Sequence, residues 1–333
     1  MLTTVAAGRV FTYSHCIGMY GMSGLGFWSP VDFVLCSKGV FYALSRGDGE
    51  ALGPRISKCT LDHQFLTQFG GFGAGDGQFI WPVSIDADQD ENLYVSDERL
   101  HRITIFDKEG KSLGQWGKAG SGEGEFNGPA GLAFDQEDNL YVVDSLNHRV
   151  QRFTKHGKFL GQWGQHGAGD GELNMPWGIC LDSKGDVYIA DWKNHRVQKF
   201  SRVGEFLGKF CASDSGVGSL DHPTGVAVDS EGDVYVTDWG NHRLQVYAPN
   251  GTFITSLIGD AQQPSPWAQT YIAANPDMVK ARKRVNLEPE WRFRRPVAVN
   301  VDSENKIFVA ESARHRLQVY EKEKDLGDVP LNL

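Results

Sequence analysis

Asn174-Met175-Pro176-Trp177-Gly178-Ile179, Asp186-Val187-Tyr188-Ile189-Ala190-Asp191 and Asn194-His195-Arg196-Val197-Gln198 are three pieces of one unit, and the unit recurs. The triplet Asn194-His195-Arg196 stands 47 residues from Asn147-His148-Arg149 and 47 from Asn241-His242-Arg243, with degenerate copies at Leu100-His101-Arg102 and Arg314-His315-Arg316. A fixed period of this size marks supersecondary units that bury their apolar faces only by stacking on one another. A proline opens each unit: Pro30, Pro82, Pro129, Pro176, Pro223 and Pro296, at gaps of 52, 47, 47, 47 and 73. The chain therefore holds six units, with about 5 extra residues in the first and about 26 in the last.

Within one unit the apolar runs Gly131-Leu132-Ala133-Phe134, Leu140-Tyr141-Val142-Val143, Val150-Gln151-Arg152-Phe153 and Phe159-Leu160-Gly161-Gln162-Trp163 are separated by Gly, Asp and Asn. Short runs bounded by turn residues are strands. Four antiparallel strands repeated six times predict an all-β fold, a six-bladed β-propeller. The last unit offers only three clear strands, and Val10 to Gly18, ahead of the first blade, resembles an outer strand. It is expected to complete the sixth blade and close the ring, making residues 1–333 one domain.

The block Asn174 to Gln198 resembles the NHL repeat, and the likeness runs over essentially the whole chain. That resemblance implies a propeller but no single activity, because NHL propellers include protein- and RNA-binding domains, bacterial sensor domains and the peptide-amidating lyase. In that lyase the zinc-binding histidines follow the blade-opening proline. The matching positions here are Val31, Val83, Ala130, Trp177, Thr224 and Val297, none a zinc ligand, and His222 falls on the other side of Pro223. No metal and no cofactor is expected.

The net charge of −9 disfavours a nucleic-acid binder driven by bulk electrostatics. No apolar run is long enough to span a bilayer, and the N-terminal residues lack the basic head and apolar stretch of a signal peptide. Five cysteines (Cys16, Cys36, Cys59, Cys180 and Cys211) without metal-ligand spacing suit reduced thiols in a cytoplasmic protein.

Asp97, Asp144, Asp191 and Asp238 each precede an arginine by five residues, and Glu311 and Arg316 repeat the pair. A constellation present five times is a structural device, since catalysis needs one. Ser45 breaks the pattern in the first blade, and the residues before Arg55 form a longer loop. Asp86 to Asn92 alternates acids and amides as calcium loops do, but equivalent turns recur at Asp135, Asp182 and Asp229. One step past Val31 and its equivalents stand Asp32, Ser84, Gly131, Gly178, Gly225 and Ala298. Asp32 is the one carboxylate among them and the weak catalytic candidate.

The largest departure from period is the segment 261–295, where Ser265-Pro266 and Asn275-Pro276 predict two short helices. Its later half is basic, with Lys280, Lys283, Arg284, Arg292, Arg294 and Arg295 prominent. The insertion is expected on the face of the Asn-His-Arg loops, beside Trp192, Trp239 and Trp267. Aromatic side chains beside cations predict a binding or scaffold surface for a protein partner or an anionic ligand, with nucleic acid less favoured. The alternative is a lyase or lactonase-like hydrolase at the channel mouth, using Asp32, a histidine and the insertion as a lid.

Overall fold

The computed structural model of the chain describes residues 2–22, 24–47, 53–210 and 216–323; Cys211 and the centre of the loop between Ser45 and Arg55 lie outside them. An N-terminal hairpin, β1 (Thr3–Ala6) and β2 (Arg9–Ile17), precedes blade 1, which is β3 (Pro30–Leu35), β4 (Val40–Ser45), β5 (Arg55–Thr60) and β6 (Phe65–Phe69). Blade 2 is β7 (Pro82–Ala87), β8 (Leu93–Asp97), β9 (Arg102–Phe106) and β10 (Ser112–Trp116). Blade 3 is β11 (Pro129–Phe134), β12 (Asn139–Asp144), β13 (Arg149–Thr154) and β14 (Phe159–Trp163). Blade 4 is β15 (Pro176–Leu181), β16 (Val187–Asp191), β17 (Arg196–Phe200) and β18 (Phe206–Phe210). Blade 5 is β19 (Pro223–Val228), β20 (Val234–Asp238), β21 (Arg243–Tyr247) and β22 (Phe253–Leu257). Then come helices α1 (Pro266–Ala273), α2 (Pro276–Arg282) and α3 (Glu288–Trp291), and β23 (Pro296–Val301), β24 (Lys306–Glu311) and β25 (Arg316–Glu323) of blade 6.

Each opening proline begins an inner strand, where its missing N–H is not needed by the ladder. The sheets are antiparallel, and β2 pairs with β25 from Val10↔Glu323 to Ile17↔Leu317. The N-terminal segment thus supplies the outer strand of blade 6, as expected, and β1 adds a fifth strand at its edge. Three residues before each proline sits a buried apolar side chain: Phe27, Phe79, Phe126, Leu173, Leu220 or Phe293. These knobs fill the space between blades and are the periodic core.

A buried polar network pins each blade to the linker that enters it. In blade 4, Asp191, 0% exposed, accepts from the backbone N–H of Asn174 at 2.7 Å and from Arg196 Nε at 2.9 Å. The rest of the Arg196 fork donates to the carbonyls of Ala168, Gly169 and Glu172, in the linker from blade 3. Gln198 completes the arrangement, donating to Asp191 and Glu172 and accepting from Gly171 N–H. The same acid and arginine pair directly in blades 3, 5 and 6. Blades 1 and 2 depart from it: Ser57 and Thr104 replace the glutamine, and their hydroxyls, with Arg55 Nε and Arg102 Nε, find no partner among the described residues.

The histidine of the triplet makes a second tie. His101, His148, His195, His242 and His315 all adopt left-handed backbone, with φ between 52° and 58°. Each Nδ1 then accepts the N–H of the residue before the next blade's proline: Gly128, Met175, His222, Arg295 and Ser29. The last of these joins blade 6 to blade 1. An imidazole that accepts at Nδ1 is neutral with its proton on Nε2, so the histidines serve the ring as acceptors.

Around the axis, Gly131, Gly178 and Gly225 let neighbouring inner strands touch through backbone. A Cβ on Gly178 would meet the Thr224 carbonyl oxygen well inside contact distance, whereas one on Gly161 in an outer strand meets nothing within 4 Å. Gly178→Ala is therefore expected to cost roughly 1–3 kcal/mol of unfolding free energy in denaturant titration. Gly161→Ala should be near neutral, and equal effects of the two would refute the axial-crowding account.

Candidate functional site

The inner strands start at the face of the Asn-His-Arg loops, so the residues flanking each opening proline ring the channel mouth. Ser29, Val31, Arg46, Val83, Trp177, Trp192, Thr224, Trp239, Arg295, Val297 and Ser312 enclose a funnel of about 280 Å³ there. No carboxylate is among these lining residues. Arg295 occupies the left-handed position before Pro296, with φ 54°, and its guanidinium lies 5.3 Å from the centroid of Trp239. On the adjoining blade 1, Arg46 lies over Trp81 at 4.5 Å and donates from Nε to the Pro82 carbonyl at 3.2 Å. Burial lowers the Arg46 pKa to about 10, offset in part by Glu98 and Asp97, which leaves it a cation at neutral pH. Lys193 stacks on Trp192 at 4.6 Å, a third cation on an indole at this face.

Of the residues singled out by sequence, Trp192, Trp239 and Arg295 meet in this funnel. Trp267 does not: it is buried at 8% exposure in the seam between blades 6 and 1, packed on Phe27, with its Nε1 donating to His63 O. The insertion reaches that seam because Ser265 caps α1 and donates to the Gly18 carbonyl beyond β2. Several of its charges are spent internally. Lys280 lies 3.6 Å from Asp277, Arg282 pairs with Glu290, and Arg292 pairs with Glu288 and Asp260. Lys283, Arg284 and Arg294 are exposed, with no ion pair among the described residues, and none of them lines the funnel.

Below the funnel the channel proper, about 220 Å³, is walled by the inner strands and holds two carboxylates, Asp32 and Asp86. Asp32 accepts from Phe33 N–H, Ser84 Oγ at 2.6 Å and Ile85 N–H, and so stitches blade 1 to blade 2. Asp86 accepts from Ala87 N–H and Phe134 N–H, stitching blade 2 to blade 3. Both face the narrow bore deep in the protein. Desolvation raises Asp32 to about 6 and Asp86 to about 7, the latter with an added push from Asp32. Asp86 is a channel residue and not the start of a turn; the turn acid is Asp88, which accepts from Asp90 and Asn92 N–H as Asp135, Asp182 and Asp229 do in their own turns. The cue was available in the spacing, since Asp86 stands four residues after Pro82 and Asp135 stands six after Pro129.

The raised carboxyls have a signed consequence. The folded protein holds the Asp86 proton more tightly than the unfolded chain does. That contribution is complete below about pH 4 and is lost as pH rises through about 7. Unfolding free energies of wild type and Asp86→Asn should therefore diverge between about pH 4 and pH 8, with wild type losing ground as pH rises. A pH-independent difference would show that Asp86 is ionised throughout.

The NHL repeat profile matches residues 126–153, 173–200, 220–247 and 293–320, which fall in blades 3 to 6. These are the blades in which the acid–arginine–glutamine network is intact. Among solved structures, a Bacteroides thetaiotaomicron protein of unknown function is similar at 19% identity and a TM-score of 0.65, over 95% of this chain and 76% of that one. A streptogramin B lyase is similar at 10% identity and a TM-score of 0.57, over 96% and 100%. A catalytically inactive virginiamycin B lyase from Staphylococcus aureus, with quinupristin, is similar at 13% identity and a TM-score of 0.57, over 93% and 99%. At these identities the likeness is one of fold. No curated protein matches the chain.

Proposed function

Because the chain belongs to the NHL-repeat β-propellers, a fold that sets geometry without setting a reaction, we propose that it is a single-domain, non-catalytic binding protein whose funnel takes an anionic group. The anion is a small ligand or an acidic side chain presented by a protein partner. The observation that carries this reading is the pairing of Arg46 on Trp81 with Arg295 on Trp239 around one apolar-walled mouth without a lining carboxylate. Guanidinium groups positioned over indoles can still present Nη donors for contact with carboxylate or phosphate, and Arg46 uses only its Nε on the Pro82 carbonyl. Indole walls favour a ligand with an apolar or aromatic body behind that charge. In this reading Lys283, Arg284 and Arg294, with Lys280 beside them, steer an acidic partner surface toward the mouth. Four free cysteines among the described residues suit a reducing, cytoplasmic compartment.

The second reading, a lyase or lactonase-like hydrolase at the channel mouth, draws on the fold shared with the streptogramin lyases and on the raised carboxyls of Asp32 and Asp86. Against it, both Asp32 oxygens are engaged, Oδ2 by Ser84 Oγ and Ile85 N–H of the adjoining blade and Oδ1 by Phe33 N–H of its own strand. Helix α1 is fastened to the blade 6 to blade 1 seam, which is not the place for a lid.

Titration with a series of aromatic carboxylates and phosphates and an acidic peptide, followed by tryptophan fluorescence, tests the funnel. Arg46→Ala and Arg295→Ala are each expected to weaken the best ligand about tenfold or more, about 1.4 kcal/mol. Asp32→Asn should bind as wild type does. Binding unaffected by either arginine would overturn the proposal, and turnover abolished by Asp32→Asn would favour the enzyme.

A further inference from the structure

The residue before each opening proline is Ser29, Trp81, Gly128, Met175, His222 or Arg295, and the one before that is Trp28, Ile80, Asn127, Asn174, Asp221 or Arg294. Only blade 5 places two metal-ligating side chains there. Asp221 and His222 are brought against His195 of blade 4, because the His195 tie draws the start of blade 5 onto the Asn-His-Arg turn. His222 Nδ1 lies 2.6 Å from Asp221 Oδ1, and His195 Nδ1 lies 3.3 Å from the same oxygen. Ligand atoms from all three residues fall within 4.8 Å of one another. Two ligands on a tetrahedral zinc ion, at bond lengths of about 2.0–2.1 Å, stand about 3.3 Å apart.

We propose that His195, Asp221 and His222 form a binding site for a divalent transition-metal ion of the zinc type, on the rim of the funnel and off the channel axis. Two imidazoles and one carboxylate are a donor set suited to zinc, cobalt or nickel, and ill suited to calcium or magnesium, which favour an all-oxygen shell. His195 is already in the tautomer that coordination through Nδ1 requires, since that nitrogen accepts the His222 backbone N–H at 3.2 Å and carries no proton. His222 coordinates once its proton resides on Nε2, leaving two neutral ligands and one carboxylate around the divalent ion. Coordination gives up the long His195–His222 hydrogen bond and replaces it with a metal link between the same two blades. The side chains are 25–44% exposed, so the ion enters from solvent and water completes its shell. The Trp192 ring packs 4.4 Å from the His222 ring and lines the funnel, which makes it a built-in reporter.

Other clusters differ in kind. Asp229, Glu231 and Asp233 are closed by the Lys322 ammonium, 2.6–2.8 Å from each. The His148 and His166 rings lie 4.5 Å apart, tilted by 54°, and form no metal-ligating group with a carboxylate among the described residues, so that pair serves as an internal control.

Titration of the full chain with cobalt(II), read by visible absorption and by quenching of tryptophan fluorescence, followed by displacement with zinc, tests the site. One equivalent of cobalt is expected with tetrahedral absorption, and zinc should raise the midpoint of thermal unfolding. His222→Ala and the near-isosteric Asp221→Asn should each weaken binding at least tenfold, while His166→Ala leaves it unchanged. Absence of a stoichiometric site, or equal affinity in wild type, His222→Ala and Asp221→Asn, would overturn the proposal. Anion binding in the funnel is measured without metal, so failure of either idea leaves the other standing.

Discussion

The ring depends on one recurring arrangement: a buried carboxylate at the end of the second strand that binds both an arginine and the entry of its own inner strand. Taking an aspartate and a guanidinium out of water is costly unless every lone pair and proton is matched. Blades 3 to 6 meet that condition, because the arginine fork reaches the preceding linker's carbonyls and the glutamine two residues on satisfies what remains. All of these partners lie within one repeat, between a blade and the linker that enters it. The network therefore fixes each linker on its blade, and the linkers carry the apolar knobs Phe126, Leu173, Leu220 and Phe293 that fill the space between blades and close the ring.

Once the histidines, arginines and aspartates of the repeat are committed to holding blades together, chemistry is left to the positions that the repeat does not fix. The funnel is made of such positions. Arg46 follows the serine that stands in place of the acid, Ser312, Trp192 and Trp239 follow the acid itself, and Arg295 and Ser29 precede a proline. The rigid frame sets their spacing, while their identities vary from blade to blade. In the proposed binding function, specificity lies in side chains that break the period, on a backbone that does not.

The six blades, the closing strand and the structural role of the acid–arginine pair were legible in the sequence because each has a strict period or a missing partner that shows in the count. Asp86 was hidden because its run of acids looks like a turn; its offset of four residues from Pro82, against six for Asp135 from Pro129, separates the two, and the strand register places it in the bore. Trp267 was expected on the loop face, yet it packs in the seam; an insertion has no repeat to compare with, so its docking follows from contacts such as Ser265 to Gly18. His222 lies before Pro223, on the other side from the positions that match the lyase's zinc ligands. The fold makes that position a neighbour of the preceding blade's histidine, a relation that sequence spacing alone does not display.

The unfolding free energy of Arg196→Leu, measured in denaturant against wild type, tests the role of this network most directly. Removing that fork strands Asp191 and three linker carbonyls in the interior, and the expected loss is about 3–5 kcal/mol. A loss below about 1 kcal/mol, the size of an exposed ion pair, would contradict the claim that this network holds the ring together.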